Sequence, residues 1–116
     1  MMTSTAFGQE KLKRKYFGVY NGKINGYKLE TNGDLLDVAA VPIQIDLYAG
    51  YLNIHIGKST SKGNYTILFE AEDYFVLDCT MDNNSIGERI IVYKKGDKIS
   101  RDGLYPQPGA VLYKSD

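Results

Sequence analysis

The chain has one cysteine, Cys79, so no intrachain disulfide can form and no cysteine-based zinc cluster exists. Its one histidine, His55, leaves little material for acid–base or nucleophilic chemistry. Tryptophan is absent, and proline occurs three times. No apolar run approaches the roughly 20 residues that a membrane-crossing helix needs. Nor does charge of one sign dominate. Fourteen Lys and Arg balance 14 Asp and Glu, so no global field favours nucleic acid or an anionic membrane. What is plentiful is tyrosine (10), phenylalanine (4) and glycine (12) in 116 residues that are 43% hydrophobic. That composition leans towards β-structure and suits a single domain with a modest core.

Residues 1–15 read as a flexible tail ahead of one domain over 16–116. Ala6 and Gly8 stand three residues and one residue before the cut of a possible signal-peptidase site, with Gln9 as the mature start. The apolar stretch that should precede such a site is missing. Residues 1–8 are thus either a signal-peptide remnant or a plain tail. The first reading would make the protein exported, either secreted or placed in the periplasm or cell envelope. Lys11, Lys13, Arg14 and Lys15 form a short basic run, which reads as a solvated arm.

The clearest local structure is "VPIQIDLYAGYLNIHIG", residues 41–57. Ile43, Ile45 and Leu47 alternate with polar neighbours, as do Leu52, Ile54 and Ile56, on either side of Ala49-Gly50. With those two residues as the loop, Ile43 faces Ile56, Ile45 faces Ile54 and Leu47 faces Leu52. Gln44 then faces His55, and Asp46 faces Asn53. A slip of one residue would set apolar against polar throughout, so the pattern determines the register. Residues 58–64 read as a polar loop. "YTILFEA" and "YFVLDCTM" follow as a second hairpin around Glu72-Asp73, apolar on both faces. Ile67, Phe69 and Val76 occupy one face; Leu68, Phe75, Leu77, Cys79 and Met81 occupy the other. Further strands are expected over 87–94 and 110–114. A type II′ turn at Gly96-Asp97 should lead into a short strand over 98–100. Residues 101–109 read as a long turn, whose Pro106 and Pro108 cannot donate to a ladder. Apolar 3-4-3 spacing persists nowhere for three turns. Little helix is expected, with 9–15 and 34–40 as the places for a short helix or turn.

Asn-Gly, the strongest short hairpin signal, occurs at 21–22, 25–26 and 32–33. Only Lys23 and Ile24 separate the first two pairs, too few for a strand between two reversals. Gly18, Gly22 and Gly26 recur every fourth residue with Tyr20 and Ile24 between them, all on one face of an extended strand. Residues 16–30 are therefore expected as one long bent strand in which the first two pairs are kinks or bulges. A true hairpin at 21–22 is the alternative. Asn32-Gly33 turns the chain. About eight strands joined by tight turns make an antiparallel up-and-down meander, which in so small a chain hides its edges by closing into a barrel. Closure uses glycine where a strand must curve.

Gly18 and Tyr20 on the first strand, with Arg89 or Arg101 on a late one, are similar to the calycin pattern of lipocalins and avidins. In that superfamily the aromatic residue is normally tryptophan, and the arginine packs across it to close one barrel end. This chain has tyrosine there, is shorter than ordinary lipocalins and lacks the paired cysteines many of them carry. The resemblance implies a ligand cavity or a protein-binding surface, and no catalytic chemistry.

The residues themselves point the same way. The one thiol–imidazole combination is Cys79 with His55, and the simpler reading is a buried structural cysteine and a solvent-facing histidine. Asp34 and Asp37 lie beside a loop, and Glu70, Glu72 and Asp73 cluster at a hairpin tip. Neither group has the alternating spacing of a calcium loop, so both read as solvated carboxylates. "GKST" at 57–60 carries the tail of a Walker loop without its earlier glycine and reads as chance. No metal, no cofactor and no enzymatic activity are expected. In Glu88-Arg89 and Arg101-Asp102, strand neighbours point to opposite faces, so at most one of each pair faces inward. An inward Arg89 would need a partner such as Asp78, and together they could anchor an anionic or polar ligand. Exposed strand charges are the commoner case. Tyrosines such as Tyr20 and Tyr93 offer aromatic faces with a polar tip, suited to recognition. Tyr20, Phe69, Asp78, Arg89 and Tyr93 are the candidate ligand-binding residues.

Two functions compete. Only one face of the doubly apolar strands can line a barrel, so the other should meet a helix, a protein partner or a second copy of the chain. Bulky Ile43, Ile45, Leu47, Ile54, Ile56 and Phe69 suggest a mostly filled interior. That favours a non-catalytic protein-interaction module using an exterior β face over a lipocalin-like carrier of a small hydrophobic or mixed ligand. Neither nucleic acid nor a membrane span is expected.

Overall fold

The structure, a computed structural model, describes residues 11–82, 87–103 and 107–115. Among them ten strands follow in order: β1 (Gly18–Ile24), β2 (Tyr27–Thr31), β3 (Asp34–Val38), β4 (Val41–Leu47), β5 (Tyr51–Ile56), β6 (Ser59–Glu70), β7 (Tyr74–Met81), β8 (Glu88–Tyr93), β9 (Lys98–Arg101) and β10 (Ala110–Lys114). From β4 to β10 each strand pairs antiparallel with the next. β1 completes the ring by pairing with both β10 and β4, giving a closed barrel of eight strands. The all-β up-and-down barrel expected from the sequence is the observed fold. No helix among the described residues is long and apolar enough to cross a membrane.

Period-two alternation sorts the wall. Tyr20, Ile24, Ile43, Ile45, Leu47, Leu52, Ile54, Leu77, Cys79, Ile90, Val92, Ile99 and Leu112 point inward and are buried in one cluster. Each of the larger ones contributes about 1.5–3 kcal/mol through its removal from water. The β4–β5 register is the one its alternation demands, with Ile43 opposite Ile56, Ile45 opposite Ile54 and Leu47 opposite Leu52. The second hairpin also turns where expected, Ala71 N–H donating to the Tyr74 carbonyl at 2.8 Å.

The three Asn-Gly pairs do three different things. Asn21-Gly22 lies inside β1, with Gly22 paired to Ile43 on one side and Leu112 on the other. It turns nothing. A Cβ at Gly22 would stand 2.5 Å from the Val111 carbonyl oxygen, so the glycine is there for close backbone approach at the seam. Asn25-Gly26 is the break between β1 and β2, where the chain leaves the barrel wall. Asn32 and Gly33 have φ of 51° and 86°, the two positive values of a type I′ turn. They join β2 and β3 into a separate two-stranded arm, with Leu29 opposite Leu36 and Tyr27 opposite Val38. Residues 16–30 are thus not one bent strand but two, because the break at Asn25-Gly26 takes β2 out of the barrel wall and into its own sheet with β3.

Four further local expectations need correction. Residues 34–40 are not helical: pairing with β2 overrides the modest helix preference of "DLLDV" and makes Asp34–Val38 a strand. Most of 58–64 is strand, not loop. β6 begins at Ser59, and its inward Ser61 and Gly63 stand opposite Ile54 and Leu52, so small residues meet large ones across the barrel wall. Gly96 and Asp97 both have positive φ and close a loop over 94–97 in place of a type II′ turn. Finally, Ile67 and Phe69 do not share a face. The β6–β7 register shifts between them, so Ile67 pairs with inward Leu77 while Phe69 pairs with outward Val76.

Ahead of β1 a single 3-10 turn, Arg14–Tyr16, lies across one mouth of the barrel. Leu12 and Tyr16 are buried, and the Tyr16 ring meets Phe75 edge-on at 5.4 Å. Tyr20 ties this cap to β1, its hydroxyl donating to the Tyr16 carbonyl at 2.7 Å. Residues 1–10, including the possible cleavage site, lie outside the described residues, as do 83–86, 104–106 and 116.

Candidate functional site: the outer face and rim of β6–β8

The bulge at Leu68 determines what the outer wall presents. An extra residue in β6 leaves Leu68 without a partner on β7 and swings Phe69 outward; the two are 48% and 49% exposed. Beside them runs an aromatic ladder. Phe69 meets Tyr74 edge-on with centroids 6.3 Å apart, and Tyr74 lies 6.4 Å from its cross-strand partner Tyr93. Val76 sits on the same outer face, yet is only 5% exposed, flanked across the strands by Phe69 and Ile91. A Lys98 ammonium lies 5.0 Å from the Tyr93 ring centroid, within cation–π range. The result is an apolar face on the outside of a barrel that already has a core inside.

Of the five residues singled out in the sequence, Tyr20 faces inward and the other four face outward, so they do not converge on one ligand. Phe69 and Tyr93 belong to the outer ladder. Asp78 and Arg89 are cross-strand partners on the outer face, 4.0 Å apart and each 53% exposed. The inward Arg89 is therefore corrected: Glu88, Ile90 and Val92 take the inward positions of β8, which leaves Arg89 outside. An exposed pair at that separation contributes about 0–1 kcal/mol. The buried charge pair is elsewhere. Arg101 donates from Nε and Nη2 to the two carboxylate oxygens of Glu88, both at 2.9 Å, and from Nη1 to the Gln107 amide oxygen. It is built from the inward members of the two adjacent charge pairs noted in the sequence.

Cys79 and His55 lie on opposite sides of the wall, so no thiol–imidazole dyad forms. Burial, aided by the Glu88 and Asp78 carboxylates, pushes the Cys79 thiol up to about 12. Burial, then Asp97 and Tyr16, pushes Tyr20 up to about 12 as well. The folded chain keeps both protons at pH values where the unfolded chain has released them. Their stabilisation is thus complete below about pH 9 and is lost as pH rises towards 12. Urea denaturation at about pH 10.5 should show a stability roughly 3 kcal/mol below that at pH 7, with Cys79→Val removing more than half of the difference. A flat profile between those pH values would contradict the assignment.

His55 makes a contact that sequence alternation did not reveal. Its Nε2 lies 2.9 Å from Asp46 Oδ2 and its Nδ1 lies 3.0 Å from Thr60 Oγ1, while Gln44 donates to Asp46 Oδ1 at 2.8 Å. Asp46 is diagonal to His55 across β4–β5, one step from the direct partner Gln44. The order carboxylate–imidazole–hydroxyl resembles a hydrolytic relay. Here it links three adjacent strands, β4, β5 and β6, on the outside of the wall.

Comparison of the chain with protein-family models, with curated proteins and with solved structures finds no match.

Proposed function

We propose that the protein is a non-catalytic binding protein, engaging a protein partner through the outer face of β6–β8. The observation that carries this reading is the Phe69–Tyr74–Tyr93 ladder beside exposed Leu68, on the outside of a barrel filled by its own side chains. Aromatic residues in such positions are the usual anchors of protein interfaces, and soluble monomers seldom display adjoining large apolar groups without use. A carrier of a small apolar ligand would need the space that Tyr20, Ile45, Leu47, Leu77 and Ile99 occupy. The absence of catalysis is supported by the separation of Cys79 from His55. The calycin resemblance forms part of the same proposal, resting on the strand order, on Gly18 and Tyr20 in β1 and on Arg101 in β9. Export is proposed on the small residues Ala6 and Gly8 alone.

Leu68→Asp combined with Phe69→Asp removes two half-exposed apolar side chains. Loss of the Phe69–Tyr74 contact and of the cover over Val76 should cost about 1–2 kcal/mol of folding stability, which leaves the barrel folded. The same variant should weaken a complex made with the protein's native partner by about 2 kcal/mol or more, roughly 30-fold, as loss of a central anchor does. Pull-down from the native source with wild-type and variant baits reads this directly. A partner retained equally by both would count against the outer face.

A further inference from the structure

The mouth of the barrel capped by Tyr16 carries a cleft of about 700 Å³, walled by residues of the 11–16 segment, the hairpin tip at 70–75 and the loop at 93–98. Six of the chain's eleven lysines line it, against three carboxylates, a local positive excess in a molecule whose formal charges cancel overall. The basic run 11–15 reads in the sequence as a solvated arm; the barrel brings it to one rim with Lys94, Lys95 and Lys98.

Three of these lysines already have work. Lys94 donates to Glu70 at 2.6 Å and lies 5.0 Å from the Phe75 centroid; Lys98 and Lys15 lie 5.0 and 5.2 Å from the Tyr93 and Tyr16 centroids. They stand over an aromatic floor. Lys11, Lys13 and Lys95 are exposed and have no ion-pair partner among the described residues.

We propose that this cleft receives an acidic polypeptide segment of the protein that contacts the outer face, an inference that rests on the reading of that face as a binding surface. Three observations favour this occupant. The cations are lysines on flexible stems, not the planar arginine forks that grip one phosphate or carboxylate bidentately. Such separate point charges suit several spaced carboxylates. The floor of Tyr16, Phe75 and Tyr93 accepts apolar side chains between those carboxylates. And Tyr93 belongs both to this floor and to the outer ladder, so a chain crossing Tyr74 continues into the cleft without a break. Glu72 and Asp73 on one wall repel the same segment and hold it to the lysine side.

Fluorescence anisotropy with a labelled octapeptide of alternating glutamate and phenylalanine tests the proposal. Wild-type protein should bind it roughly tenfold or more tightly than the matching lysine–phenylalanine peptide, and the affinity should fall as salt shortens the Debye length to about 8–10 Å. Lys11→Glu, Lys13→Glu and Lys95→Glu together should lower the affinity roughly tenfold or more, with thermal unfolding little changed. Equal binding of both peptides by the wild type overturns the proposal, as does unchanged affinity in a folded triple variant. Displacement of the peptide by inorganic tripolyphosphate at matched ionic strength also overturns it, in favour of a simple phosphate site. The two readings fail separately. Partner binding that survives Leu68→Asp with Phe69→Asp removes the outer face, whereas peptide binding that survives the lysine reversals removes the cleft.

Discussion

Replacing Arg101 by methionine is expected to destabilise the barrel by about 3–5 kcal/mol, the usual consequence of removing one partner from a buried ion pair. Arg101 and Glu88 are 4% and 8% exposed, and both Glu88 oxygens are taken by the guanidinium. Without it, a carboxylate stays in the wall with neither solvent nor counter-charge, and the Gln107 amide oxygen loses its donor. A domain of this size has about 5–15 kcal/mol in total, so the variant should lose a large share of its stability. Removing the second charge should recover most of the loss, because a buried pair replaced by apolar residues of similar volume is often neutral. Urea denaturation of Arg101→Met, and of Arg101→Met with Glu88→Leu, measures both. A loss below about 1 kcal/mol in the single variant would mean that the pair is solvated.

Gly22→Val is expected to cost about 3 kcal/mol, near the upper end for overpacking a well-filled site. The obstruction is space and not backbone conformation. A Cβ there would lie 2.5 Å from the Val111 carbonyl oxygen and 3.0 Å from Leu112 Cγ, and the oxygen belongs to the β10 backbone, which cannot yield without opening the β1–β10 seam. The neighbouring Asn21 is exposed, so Asn21→Ala should cost about 0.5 kcal/mol or less. Gly33→Ala is a third kind of case. Its φ of +86° opposes any side chain, but no atom stands within 4 Å, so the cost should be about 1 kcal/mol and confined to the arm. Equal losses at Gly22 and Asn21 in chemical denaturation would contradict the account of the seam.

Those glycines also show how far sequence reasoning carries. Strict alternation around Ala49-Gly50 was enough to pair Ile43 with Ile56 and to place His55 outside, because a short loop and an apolar face leave one register. Alternation also separated Glu88 from Arg89 and Arg101 from Asp102. It could not say that Glu88 and Arg101 meet, since that contact depends on how β8 and β9 are set across a loop. The start of β6 stayed hidden because Ser61 and Gly63 fill inward positions with little volume, matched by Leu52 and Met81. The bulge at Leu68 put Ile67 and Phe69 on opposite faces despite their shared parity, and an extra residue leaves no mark on a two-residue period. The lysine cleft was not legible at all. Its lysines lie some eighty residues apart in sequence, and only the closing of the barrel unites them.

The claim that matters most is that binding occurs outside a filled barrel. Native mass spectrometry of the protein purified from its own source tests it most directly, because ligand, partner and copy number are read together. The account predicts a chain free of any small molecule at one per copy, held in a complex with a distinct protein that is lost in the Leu68→Asp and Phe69→Asp variant. A monomer carrying one small molecule per chain would contradict it and establish a carrier.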